Sequence, residues 1–226
     1  MVNSKHAFWQ ALVFAVIIFA IGLIMGFFLE TNRAEDIQLI ILNSEINLLD
    51  EQVRNSEIQN LEIDCESAKE STFNFADRIF NEARKLEKYD SSSKFTETVK
   101  ILHKRYDLLR IMLWAESIEV KENCDSRFNT IVYLYQYDVD DIQVKAEQAA
   151  LSRILLDIKG KYSDKVLLIP IAANLELEST SLILEKYNIS KLPVLIINEK
   201  TIIENMTTIE ELENKLDLED KTIRLN

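Results

Sequence analysis

The sequence predicts an α/β domain of order β-α-β-α-β-β-α at its carboxyl end, carried on helices and an apolar anchor. Three observations predict it. Residues 7–29 form one uncharged apolar run. Apolar residues recur at three- and four-residue spacing between 39 and 113. From Thr130 onward, short β-prone runs alternate with helix-prone stretches. The organisation that follows is a tail 1–6, a membrane helix 7–29, a stalk 30–66, a helical hairpin 67–127, the α/β domain 128–218 and a tail 219–226.

Between Ala7 and Leu29 the one strongly polar side chain is Gln10. The run matches the roughly 20 residues that cross the hydrocarbon core as a helix. A cleaved signal peptide is the rival reading. Its apolar region would be about 7–15 residues and would end at small residues, and Phe27-Phe28-Leu29-Glu30 is a poor cleavage site. Lys5 and the amino terminus precede the span, and Arg33 is the one nearby cation after it. The positive-inside rule then keeps the short tail in the cytoplasm and puts residues 30–226 outside, in a single-pass arrangement in the cell membrane. The lipid bilayer is thus the first expected partner, through residues 7–29. Gly22 and Gly26 form a small-xxx-small pair that would let two membrane helices approach, although glycine is also common in such helices.

Leu39, Leu42, Ile46, Leu49 and Val53 make a seam of about two heptads, a short coiled coil or one helix packed on a neighbour. A homodimer is one consequence. Glu45, Asp50, Glu51 and Arg54 lie between them as a solvated face. Two further helices read as an antiparallel hairpin over 68–119. One stripe is Phe73, Ala76, Phe80 and Ala83, with Ile79 and Leu86 alongside; the other is Phe95, Val99, Leu102, Tyr106, Leu109 and Leu113. Tyr89-Asp90-Ser91-Ser92-Ser93 is the turn between them.

In the last part, Ile131–Tyr135, Val166–Ile169, Val194–Ile197 and Thr201–Ile203 read as strands, with Pro170 following the second. Gln143–Lys159 reads as a helix with Ala146, Ala149, Ala150, Ile154 and Ile158 near one face and Gly160 at its end. Ser179–Tyr187 is a short helix, and Thr207 or Thr208 caps a last one through Leu216. Alternation predicts a parallel pair with a crossover helix, then an antiparallel hairpin.

The stretch Tyr187-Asn188-Ile189-Ser190-Lys191-Leu192-Pro193-Val194 resembles the thioredoxin segment in which a helix ends, a short loop follows and a proline opens the third strand. The resemblance covers roughly residues 128–218. It implies that Pro193 is cis beside the active-site loop, and that Leu192, Pro193, Tyr137 and Asp138 border a groove for a polypeptide partner. A trans proline at a strand entrance is the alternative. The layout of anchor, coiled coil, hairpin and domain also resembles membrane-anchored thioredoxin-like proteins of archaeal type.

The family pattern breaks where its Cys-x-x-Cys belongs. Gln136-Tyr137-Asp138-Val139-Asp140-Asp141-Ile142 holds no cysteine, so thiol exchange at that loop is impossible. The three aspartates suit capping of the next helix better than calcium, because no EF-hand glycine or glutamate completes the set. Cys65 and Cys124 bracket the hairpin, whose antiparallel form brings its two ends together, and a structural disulfide follows; two buried thiols or an intermolecular bond are the alternatives.

Net charge is -12 and no basic stripe is visible, which excludes a nucleic-acid partner. The histidines, His6 and His103, are too far from any nucleophile pattern for a hydrolase, and no zinc spacing exists. No cofactor and no metal are expected. The leading expectation is a redox-inactive binding or scaffold module at the membrane. The alternatives are a thiol-disulfide oxidoreductase using Cys65 and Cys124, and a purely structural coiled-coil protein. Asn188-Ile-Ser190 and Asn205-Met-Thr207 are glycosylation sequons, relevant only outside the cytoplasm.

Overall fold

The structure is a computed structural model that describes residues 4–60, 64–90, 96–124 and 128–218. Ser91–Ser93 of the expected turn, Phe95 and the tail 219–226 lie outside the described residues. The chain divides into two compact units, Met1–Asn47 and Leu48–Asn226.

The first unit is the amino-terminal part of α1 (Ser4–Asn60), one uninterrupted helix of 57 residues that takes in both the apolar run and the stalk. Phe8–Leu29 is long and apolar enough to cross a membrane, a property that a signal sequence shares. A Cβ added at Gly22 or Gly26 meets nothing within 4 Å.

The second unit opens with the last turns of α1. It continues with α2 (Cys65–Asp90) and α3 (Thr96–Cys124), a hairpin whose helices run beyond the expected 68–119 at both ends. The α/β part follows: β1 (Asn129–Tyr135), α4 (Ile142–Tyr162), β2 (Val166–Ala172), α5 (Glu178–Lys186), β3 (Val194–Ile197), β4 (Thr201–Ile203) and α6 (Ile209–Glu213). The sheet order is β2-β1-β3-β4. β1 is parallel to β2 and antiparallel to β3, and β3 and β4 form the final hairpin. This mixed α/β arrangement with a four-stranded sheet resembles the thioredoxin fold.

Alternation along the strands sends residues to two buried faces. Ile131, Tyr133, Leu195 and Ile197 pack on Leu151, Leu155 and Ile158 of α4 and on Leu212 and Leu216 at α6. Val132, Leu134, Val194 and Ile196 point the other way and are equally buried. Thr130 shares their parity and accepts a hydrogen bond from Lys121, so α3 lies on that face. Asp141 caps α4 by accepting from the amides of Gln143 and Val144, and Thr208 with Glu211 forms a capping box on α6.

Four side-chain assignments change. In α2 the buried residues are Ala68, Thr72, Phe75, Ile79 and Ala83, while Phe80 is exposed. Phe73 faces sideways, its ring edge-on to Phe128 at 5.3 Å. In α4 the core contacts come from Leu151, Leu155 and Ile158, whereas Ala146 and Ala149 are exposed. There the larger aliphatic side chains fill the gap to the sheet. Gly160 sits inside α4, which runs on to Tyr162. Pro170 lies inside β2 rather than after it. β2 is an edge strand, where a missing backbone donor can face outward at no cost to the sheet.

The stalk departs from the expected solvated face at Glu51 and Arg54, while Glu45 and Asp50 are exposed as expected. Glu51 is 1% exposed and Arg54 is largely buried, whereas Leu49 and Val53 are 61% and 57% exposed. Arg54, with Glu51 beside it, is what meets the hairpin, at Ser71 and Glu116. Leu39, Leu42 and Ile46 are exposed as well.

Candidate functional site

The carboxyl end of β1 gathers three segments. In register, Leu134 lies opposite Val194 of β3 and Tyr135 beside Ala172 of β2. The residue before Val194 is Pro193, buried and joined to Leu192 through a cis peptide bond. Leu192 is half-buried. The register therefore places Leu192 and Pro193 next to the loop that leaves β1, which carries Tyr137 and Asp138.

That loop is fastened by two side-chain amides. Gln148 of α4 accepts from the Gln136 N–H at 2.7 Å and donates to the Gln136 carbonyl at 3.0 Å. Asn174, in the loop after β2, does the same for Tyr137, at 2.6 Å and 2.8 Å. Each amide satisfies both backbone groups of one residue, as a neighbouring strand would. Asp138 follows with φ 52°, a left-handed conformation that Asp tolerates better than most residues, and its side chain is exposed. The Tyr137 ring tilts against His103 of α3 at 4.5 Å, so the hairpin reaches this end of the sheet. His103 is part of the loop's support.

The cysteines lie at the other end. Cys65 and Cys124 are joined in a disulfide, with 5.3 Å between their Cα atoms. Cys124 closes α3 just before Asn129 opens β1. The seven residues of β1 separate that end from the Tyr137 loop by about 20 Å. The structure thus brings Leu192, Pro193, Tyr137 and Asp138 to one end of the sheet and leaves Cys65 and Cys124 at the opposite one. Gly22 and Gly26 belong to the first unit. Among the described residues, no three His, Cys, Asp or Glu side chains converge as a metal would require.

Two acidic clusters fasten the hairpin, and neither was legible as a site. In the first, Arg54 donates to Glu51 at 3.0 Å through Nε, to Glu116 at 2.6 Å and to Ser71 at 3.2 Å, with further short contacts to both glutamates. Thr72 donates to Glu116 at 2.6 Å. Two buried carboxyls share one guanidinium. Burial, then the hydrogen bond to Glu116, push Glu51 up to about 8, against the pull of Arg54. In the second, Glu199 sits in the β3–β4 turn, where Asn198 and Glu199 both have positive φ. It accepts from Trp114 at 2.9 Å, Lys121 at 2.6 Å and Thr130 at 2.5 Å. Burial works to raise its pKa, but the hydrogen bonds from Lys121, Thr130 and Trp114 outweigh it and hold the carboxyl below its usual range.

No protein-family model and no curated protein matches the chain. Among solved structures it is similar to thioredoxin O2 from Arabidopsis thaliana in its oxidised state, at 14% identity and a TM-score of 0.31, over 46% of this chain and 84% of that one. A likeness at that level carries nothing about this chain's chemistry.

Proposed function

We propose that this chain is a membrane-anchored, redox-inactive module of thioredoxin-like fold that binds a polypeptide segment beside Leu192, Pro193, Tyr137 and Asp138. One observation carries the reading. The loop where dithiol exchange would need a thiolate has none, and both cysteines are tied together at the far end of β1. What remains at the loop is a rigid, partly apolar surface whose Gln136 and Tyr137 backbone groups are already satisfied, which suits recognition of a polypeptide through its side chains.

Phe8–Leu29 serves as an uncleaved anchor in this reading, with residues 30–226 outside the cytoplasm. The disulfide supports that side, because such bonds persist in oxidising compartments. The exposed seam from Leu39 to Val53 and the open face at Gly22 and Gly26 support a parallel homodimer.

Photocrosslinking tests the groove in native membranes. A benzoylphenylalanine at position 138 should give a polypeptide adduct that disappears in Leu192→Glu, while the same probe at position 182, exposed on α5, should give none. Equal adducts at both positions, or an adduct indifferent to Leu192→Glu, would remove the groove from the proposal. Insulin reduction by the purified chain should stay at the background rate. A rate above background that is lost in Cys124→Ser would assign the chain to the oxidoreductases instead.

A further inference from the structure

A cavity of about 720 Å³ lies between α2, α3, α4 and the outer edge of β2, on the hairpin side of the Tyr137 loop. Its volume is in the range of small-molecule sites, about 300–1,000 Å³. Phe80 and Leu156, 43% and 51% exposed, line it together with Leu168 and Pro170. Exposed aromatic and aliphatic surface inside a concavity is unfavourable unless something covers it.

The charges around this surface are sorted. Asp77 lies near Lys159, whose ammonium donates to the carbonyls of Ser163 at 2.7 Å and Val166 at 3.1 Å. Arg110 is paired with Asp107 at 2.8 Å. Beyond these, basic side chains reach the cavity from three helices, Arg84 of α2, His103 of α3 and Lys145 of α4, against the single carboxylate of Asp138. Neither Arg84 nor Lys145 is held in an ion pair among the described residues. Such a gathering of basic side chains is local, since the chain as a whole carries -12.

From this pairing of apolar floor and basic wall we infer that the cavity binds a single-tailed amphiphile with an anionic head, a carboxylate or a phosphate. The tail covers Phe80, Leu156 and Leu168, and the head meets Arg84 and Lys145. An added polypeptide strand is the other occupant that a sheet edge invites. Pro170 interrupts the row of donors that such a strand would need. The cavity borders the groove at Tyr137 and Asp138, but its apolar floor at Phe80, Leu156 and Leu168 lies on the side of α2 and α4, and Leu192 and Pro193 are not part of it.

The test uses the full chain in nanodiscs of zwitterionic lipid and a diazirine-tagged hexadecanoate. Label should map to α2 and α4 around the cavity, and untagged hexadecanoate should compete it away. Hexadecyl phosphate competing as well identifies the phosphate head as a second acceptable source; hexadecanol should compete poorly. Gly160→Leu fills the cavity from within α4, at a position where an added Cβ meets nothing within 4 Å and a helix former replaces glycine. It should abolish the label while leaving the melting temperature unchanged or higher. Arg84→Glu with Lys145→Glu should weaken labelling about tenfold. Label confined to Phe8–Leu29, or label in the cavity that survives Gly160→Leu, would overturn the site. Equal competition by hexadecanol would overturn the anionic head.

Discussion

α1 and α3 carry stripes of the same spacing and turn them in opposite directions. Val99, Leu102, Tyr106, Leu109 and Leu113 are buried against the rest of their own unit. Leu39, Leu42, Ile46, Leu49 and Val53 stay outside, while Glu51 and Arg54 on the other side of α1 are taken into the hairpin. Heptad spacing alone therefore does not say that a stripe is covered within its own chain. A charged side chain between apolar positions is likewise no proof of a solvated face. It is buried when a second set of charges, here Glu116 with Thr72, supplies what water would have given.

The comparison can be broken by substitution, beginning with the largest expected effect. The disulfide closes a loop that holds α2 and nearly all of α3. Replacing Cys65 and Cys124 by Ser should cost about 4 kcal/mol for a loop of 59 residues, seen as a lower midpoint in chemical denaturation. A change below 1 kcal/mol would mean that the helix packing alone fixes the hairpin. Leu109→Ala, in the covered stripe, should cost about 3 kcal/mol. Arg54→Ala leaves two buried carboxyls without their guanidinium and should cost about the same by the same measurement. A cost like that of a surface residue would show that α1 is not fastened through its charges.

The fastening also has a pH signature. Glu51 has a folded pKa of about 8 against an ordinary value of 4.5, so its favourable contribution is complete below 4.5 and is lost as pH rises toward 8. The melting temperature should fall across that window, and Glu51→Gln should flatten the fall. Glu199, held low, runs the other way: its contribution is present above the ordinary carboxylate pKa and fades on acidification below it. The smallest effect belongs to the uncovered stripe. Leu49→Ala should change the stability of the fold by no more than about 0.5 kcal/mol. In membranes it should still reduce crosslinking between copies if the seam pairs two chains.

Much of the fold could be read from composition and period. The four β-prone runs became strands because no helical stripe competes with them, and the α3 stripe was correct at Val99, Leu102, Tyr106, Leu109 and Leu113. The α2 stripe was correct at Ile79 and Ala83 but not at Phe73 and Phe80, the larger apolar side chains, whose places in the core belong to Ala68, Thr72 and Phe75. Aromatic size outweighed spacing in the reading but not in the packing. At the candidate site, the proline motif marked the entrance to β3 and the empty cysteine positions marked the loop. Gln148 and Asn174 gave no such signal. An amide that brackets a backbone residue 12 or 37 positions away has no period and no motif, only a partner that the tertiary fold brings near. The same holds for Arg54 and Glu116, which are 62 residues apart.

The two amide brackets have a thermodynamic consequence for anything that docks at the Tyr137 loop. Ordering a loop at the moment of association usually subtracts from affinity. Here the backbone of Gln136 and Tyr137 is already immobilised by Gln148 and Asn174 in the free protein. Recognition at that end would therefore be lock-like, with the entropy given up during folding rather than during the encounter.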